Sequence, residues 1–304
     1  MSDADSLAKN AGKILLAGLA FYLGSMVGSG IAAAAGIPVP ALPEGVDPAT
    51  LGLYLLAAAP LVPLALAPVS RRLAVGTHTR WAILALLAWI PLGVNTALEA
   101  KVFSPAQAAV TFSALTYGIA AAACAGAVAR LFPFPAPPEA FGQRARTFLT
   151  GRAPAAWAVR AALAVAAFPA VYVVFGMAVR PFIESYYVGG ELGLRIPGWG
   201  ELLAVLTLRS GLFLVACVPV LIAWRGSSRR LIAALGLALF VLVGGFQMLQ
   251  SYWLPGTMRI AHALEILADS LAYSALLVVL LRPGRAVPGR TGPATRRASP
   301  IPLH

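Results

Sequence analysis

Apolar residues run along this chain in long blocks, and polar residues gather between them. Eight blocks reach spanning length, at residues 14–36, 51–70, 81–100, 108–130, 157–180, 202–224, 231–253 and 260–281. About 20 mostly apolar residues in a helix cross the hydrocarbon core of a bilayer. The pattern therefore predicts an all-α polytopic transmembrane helix bundle of eight helices. Breaker chemistry separates the blocks: Pro43 to Pro48 after the first, Pro133 to Pro138 after the fourth, Pro255 and Gly256 after the seventh. Pro63, Pro91, Pro169 and Pro219 lie inside blocks and predict kinks.

Composition agrees with a lipid environment. The chain of 304 residues is 60% hydrophobic and 11% charged, with a mean hydropathy of +0.82, well outside the range of soluble domains. Cys124 and Cys217 both sit in apolar runs and predict buried, reduced thiols. The net charge of +12 resembles that of a nucleic-acid binder, but the basic residues are parcelled between blocks rather than gathered on one face, and no nucleic-acid partner is expected. If the N-terminus is cytoplasmic, the cytoplasmic segments hold 18 of the 23 Lys and Arg residues and the opposite side holds 5. The positive-inside rule then places the chain in the cytoplasmic membrane with both termini inside. The first block is too long for a signal peptide and reads as a retained helix.

Weak matches at an offset of about 150 residues link the halves. GSMVGSGI (24–31) resembles GMAVRPFI (176–183), Pro63 matches Pro219, and SALTY ending at Tyr117 resembles DSLAY ending at Tyr273. They suggest a 4+4 parallel internal repeat. Residues 1–132 would form the first half, 133–156 a cytoplasmic linker, 157–282 the second half and 283–304 a disordered basic tail. Gly24, Gly28 and Gly30 read as a close-packing face of the first helix.

Ionisable groups are costly in lipid and usually face the bundle interior. Asn95 and Glu99 share a face of the third helix, Arg209 lies eight residues beyond Glu201 in the sixth, and Gln247 lies near the end of the seventh. His262, Glu265 and Asp269 line one face of the eighth at i, i+3 and i+7. At 1.5 Å per residue all fall in the outer half of the membrane. Together Glu99, Arg209, His262, Glu265, Asp269, Asn95 and Gln247 predict an outward-facing polar pocket. Arg209 is expected to pair with Glu265 or Asp269, with Glu99 as the reserve partner. Tyr186, Tyr187, Trp199, Tyr252 and Trp253 read as an outer aromatic belt, and Trp81, Trp157 and Trp224 as an inner one.

His262 and Glu265 have metal-ligand spacing, but the other histidines, His78 and His304, lie elsewhere. No metal and no cofactor are expected. No nucleotide-binding or hydrolase motif is present, and no catalytic residue is assigned. Two stretches, Tyr172-x-x-Phe-Gly-Met-x-Val-x-Pro181 and Leu254-Pro-x-x-x-Arg259-x-x-His262-x-Leu-Glu265-Ile-Leu-x-Asp269-Ser270, resemble segments of a group of uncharacterised bacterial multi-pass membrane proteins of about eight helices. That resemblance implies architecture and no activity. The expected partners are membrane lipids and a small solute or lipid ligand. The leading functional reading is a transporter or permease. A non-catalytic membrane partner, sensor or assembly factor is the alternative, and an intramembrane enzyme using Glu265, Asp269 and His262 a further one.

Overall fold

The computed structural model describes residues 3–42, 45–103, 110–188 and 194–282; the tail expected at 283–304 lies outside them. Among the described residues, eight helices are long and apolar enough to cross a membrane. They are helix 1 (Asp3–Ala34), helix 2 (Pro48–Ser70), helix 3 (Thr77–Phe103), helix 4 (Val110–Leu131), helix 5 (Pro154–Val188), helix 6 (Trp199–Ala223), helix 7 (Ser228–Gln250) and helix 8 (Gly256–Leu281). The chain is a multi-pass membrane protein. The face where helix 1 begins and helix 8 ends is termed the termini side below, and the opposite face the far side.

The packing repeats between residues 1–132 and 157–282. Helix 1 lies along helix 4 as helix 5 lies along helix 8, and helix 3 along helix 4 as helix 7 along helix 8. Across the middle, helix 2 meets helix 7 and helix 3 meets helix 6. Near its centre, helix 3 widens to π geometry over Ile90–Asn95, and helix 7 does so over Val241–Gly245. The two wide segments touch. On the termini side the Ala74 N–H donates to the Ala223 carbonyl at 2.9 Å and the Arg225 N–H to the Arg72 carbonyl at 2.8 Å. The two bonds flank the antiparallel Leu73–Trp224 bridge, the pairing that such a bridge requires, and tie the two halves together on this side.

Close approach explains two of the three helix 1 glycines singled out in the sequence, Gly24 and Gly28. A Cβ on Gly24 or Gly28 would sit 2.8 Å from the Ala120 Cα or 2.7 Å from the Thr116 Cα of helix 4, whereas Gly30 faces open space. Kinks occur partly where proline predicts them. Pro91 lies in the wide segment of helix 3. Helix 2 breaks between Ala58 and Leu61, beside Pro60 rather than at Pro63. Helix 7 widens without proline, at Gly244 and Gly245.

The termini-side half of the bundle is a dry core. Leu84, Leu87, Cys217, Leu235 and Leu277 are each fully buried, and Cys124 and Cys217 are free thiols. Large apolar side chains such as Leu64, Val159, Val174 and Val279 are more than half exposed, the condition expected of lipid-facing positions in an apolar bundle. Helix 5 is the least buried span.

The linker at 133–156 is more ordered than its proline content suggests. It carries a helix at Phe141–Thr150 whose Phe148 stacks 4.8 Å from Trp157. Arginines on the termini side cap helix ends. Arg144 donates to the Ile222 and Trp224 carbonyls, each at 3.0 Å. Arg152 and Arg160 donate to the carbonyls of Leu281 and Leu280, each at 2.8 Å. Arg80, expected in a loop, is buried and donates to the Ala129 and Val75 carbonyls. Helix C-termini present unpaired carbonyls and partial negative charge, and arginine meets both. Trp224 is buried beneath the bridge instead of joining an interfacial belt.

Candidate intramembrane chamber

Between helices 3, 5, 6, 7 and 8 lies a cavity of about 300 Å³. It runs from Tyr273 and Asp269 near mid-bundle to Leu194, Leu254 and Met258 at the far-side helix ends. Towards the termini side, Phe213 and Tyr273 form its floor above the dry core. Six of the seven residues singled out in the sequence line it: Glu99, Arg209, Gln247, His262, Glu265 and Asp269. Asn95 is fully buried behind the wall.

Arg209 is 2% exposed. Its Nη2 lies 3.1 Å from Glu99 Oε2, and its Nε donates to Asn95 Oδ1 at 2.7 Å. Phe168 and Tyr172 face its guanidinium with ring centroids at 5.4 and 5.5 Å. The partner of Arg209 is therefore Glu99 on helix 3, not Glu265 or Asp269 on helix 8. The reason is direction rather than depth. Helix 6 packs on helix 3, while helix 8 packs on helices 5 and 7. The wide turn over Ile90–Asn95 also changes which face of helix 3 follows it, and Asn95 and Glu99, one turn apart, both reach helix 6.

Glu265 is engaged elsewhere. Its Oε2 lies 2.9 Å from His262 Nδ1, and His262 Nε2 lies 3.2 Å from the Tyr187 hydroxyl. In the neutral ring with the proton on Nδ1, His262 donates to Glu265 and accepts from the Tyr187 hydroxyl at Nε2; in the protonated ring both nitrogens donate. This contact takes Tyr187 out of the expected aromatic belt and into the chamber wall. Gly176 on helix 5 makes room for the pair, because a Cβ there would stand 3.2 Å from Glu265 Oε1. Helix 5 extends past the expected residue 180 to Val188, which carries Tyr187 to this position.

Asp269 is 6% exposed, and its Oδ1 has no hydrogen-bond partner. Neither Glu265 nor Asp269 forms an ion pair with Arg209. The chamber wall thus carries three carboxylates against one guanidinium and one imidazole. Among the described residues, no group of three or more His, Cys, Asp or Glu side chains has metal-binding geometry. Tyr172, Tyr187 and Phe168 were not placed in the pocket from sequence. Tyr172 opens the first of the two stretches noted above, the one signal that could have drawn attention to it.

The fold and chamber define a polytopic membrane protein with a one-sided polar cavity between its helices. No protein-family model, curated protein or solved structure matches this chain in comparisons with known proteins.

Proposed function

We propose that the protein is a permease of the cytoplasmic membrane whose chamber binds a small cationic solute. The observation that carries this reading is Asp269: a buried carboxylate with an unpartnered oxygen, in a wall where carboxylates outnumber the fixed positive charge. An ionised group in such a place needs a counter-charge and hydrogen bonds, and a protonated amine provides both. Arg209 holds Glu99, and His262 holds Glu265, so the remaining acceptor is Asp269. The wide segments of helices 3 and 7 support movement, since π segments and kinks mark places where membrane helices change shape. With both termini cytoplasmic, the chamber faces outward. The test is uptake of a labelled alkylammonium ion into proteoliposomes carrying a membrane potential. The wild type accumulates the ion and Asp269→Asn does not. Equal uptake by both proteins, or none above empty liposomes, overturns the reading.

A second reading rests on the Tyr187–His262–Glu265 chain, which has the connectivity of a proton relay. In an intramembrane enzyme, Tyr187 would present its hydroxyl to a reacting group while Glu265 orients the imidazole. Turnover of an exogenous lipid or solute that is lost in His262→Ala favours this reading over the first.

A further inference from the structure

The chamber has a side window. A second cavity of about 340 Å³ lies between helix 5 and the start of helix 6, lined by Val173, Gly176, Met177, Ile183, Ile196 and Leu202 among others. It shares Phe103, Tyr172, Tyr187, His262 and Glu265 with the chamber, so these side chains form the wall between the two spaces, closed by the Tyr187–His262–Glu265 hydrogen bonds. The character of the lining changes across that wall. On the chamber side stand Glu99, Arg209 and Asp269, and on the window side aliphatic side chains with Trp199 and the mutually paired Arg180 and Glu184 at the edge. The window faces lipid: Met177 is 53% and Ile196 59% exposed, on the least buried flank of the bundle. Gly176 makes room at this wall, because any side chain there would point at the Glu265 carboxylate.

We propose that the ligand is a single-chain amphipath with a cationic headgroup, taken with the headgroup at Asp269 and the hydrocarbon chain leaving through the window between helices 5 and 6 into the bilayer. This rests on the reading of the chamber as a cation site and adds to it the class of substrate and its route of entry. A wholly soluble cation would need no apolar side exit. An uncharged lipid could offer Asp269 a hydrogen bond but no counter-charge. A polar chamber and a largely apolar cavity on either side of one wall match the two ends of one molecule, provided that the Tyr187–His262–Glu265 wall parts to admit it.

The experiment uses the full chain in nanodiscs of neutral lipid with two probes, butylammonium and a dodecylammonium bearing a terminal diazirine. The long probe is expected to bind at least tenfold more tightly than butylammonium. On illumination it should label Val173, Met177, Ile196 or Leu202, with excess butylammonium blocking the labelling. Met177→Trp, at an exposed position, should remove the advantage of the long probe and leave butylammonium affinity unchanged. Asp269→Asn should weaken both probes. Equal affinity for the two probes, or labelling confined to other lipid-facing residues and untouched by butylammonium, overturns the window while the cation site stands. Failure of both probes to bind the wild type overturns the cation site, and the window proposal with it.

Discussion

At the scale of single residues, Arg209 organises the chamber. It stays charged at any accessible pH, so it needs a permanent partner, and Glu99 with Asn95 provides one across helices 3 and 6. Removing one member of a buried pair strands the other at about 3–5 kcal/mol, whereas replacing both with apolar groups can be close to neutral. Arg209→Leu and Glu99→Leu should each lower the unfolding temperature in detergent, and the double variant should lose much less than the sum. Arg209→Leu combined with Glu265→Leu should be additive. Additivity in the first cycle contradicts the pairing. The depth of these groups was legible in the sequence, since counting residues from the helix ends placed Glu99, Arg209, Glu265 and Asp269 at neighbouring levels, and they do line one cavity. Their pairing was not, because depth says nothing about which way a side chain points around its helix. The same gap hid Tyr187, whose helix runs a further two turns beyond its hydrophobic block.

At the scale of elements, the matched wide segments of helices 3 and 7 depart from α geometry without breaking the helix, whereas helix 2 breaks between Ala58 and Leu61. Hydrophobic blocks reveal a helix and proline suggests a kink, but a π turn built on Gly244 and Gly245 leaves no comparable mark. Gly244 is tightly enclosed, and a Cβ would fall 2.1 Å from Ile266 Cδ1 on helix 8. Gly244→Ala forces the free end of Ile266 to turn away and should therefore destabilise the protein by about 1 kcal/mol, the low end for overpacking. Adding Ile266→Ala should recover part of that loss in a thermal unfolding assay. An unchanged unfolding temperature in Gly244→Ala contradicts the close contact. The termini-side arginines carry a second lesson at this scale. Their number signalled orientation, but their positions as caps on the ends of helices 4, 6 and 8 depended on packing that charge counting does not contain. Arg144→Leu should accelerate amide hydrogen exchange across 141–150 while leaving the exchange of helices 1 and 4 unchanged. Unaltered exchange in that segment means that the cap does not hold it.

At the scale of the whole molecule, eight spans were legible because hydrophobic length is set by bilayer thickness. The repeated packing of residues 1–132 and 157–282 and the matching wide segments of helices 3 and 7 lead us to propose a 4+4 arrangement around an axis along the membrane normal. Orientation is open to a direct check, since Cys124 and Cys217 are fully buried and leave the wild type silent to a membrane-impermeant thiol reagent. Gly142→Cys and Gly226→Cys should be protected in intact cells and Gly256→Cys labelled; the reverse pattern contradicts cytoplasmic termini. The central claim concerns the unpartnered carboxylate in the chamber, and equilibrium binding of butylammonium to the nanodisc-embedded protein tests it most directly. The account predicts saturable binding to the wild type that Asp269→Asn weakens by at least tenfold, about 1.4 kcal/mol, while the unfolding temperature holds. Binding of equal strength in the two proteins would contradict it.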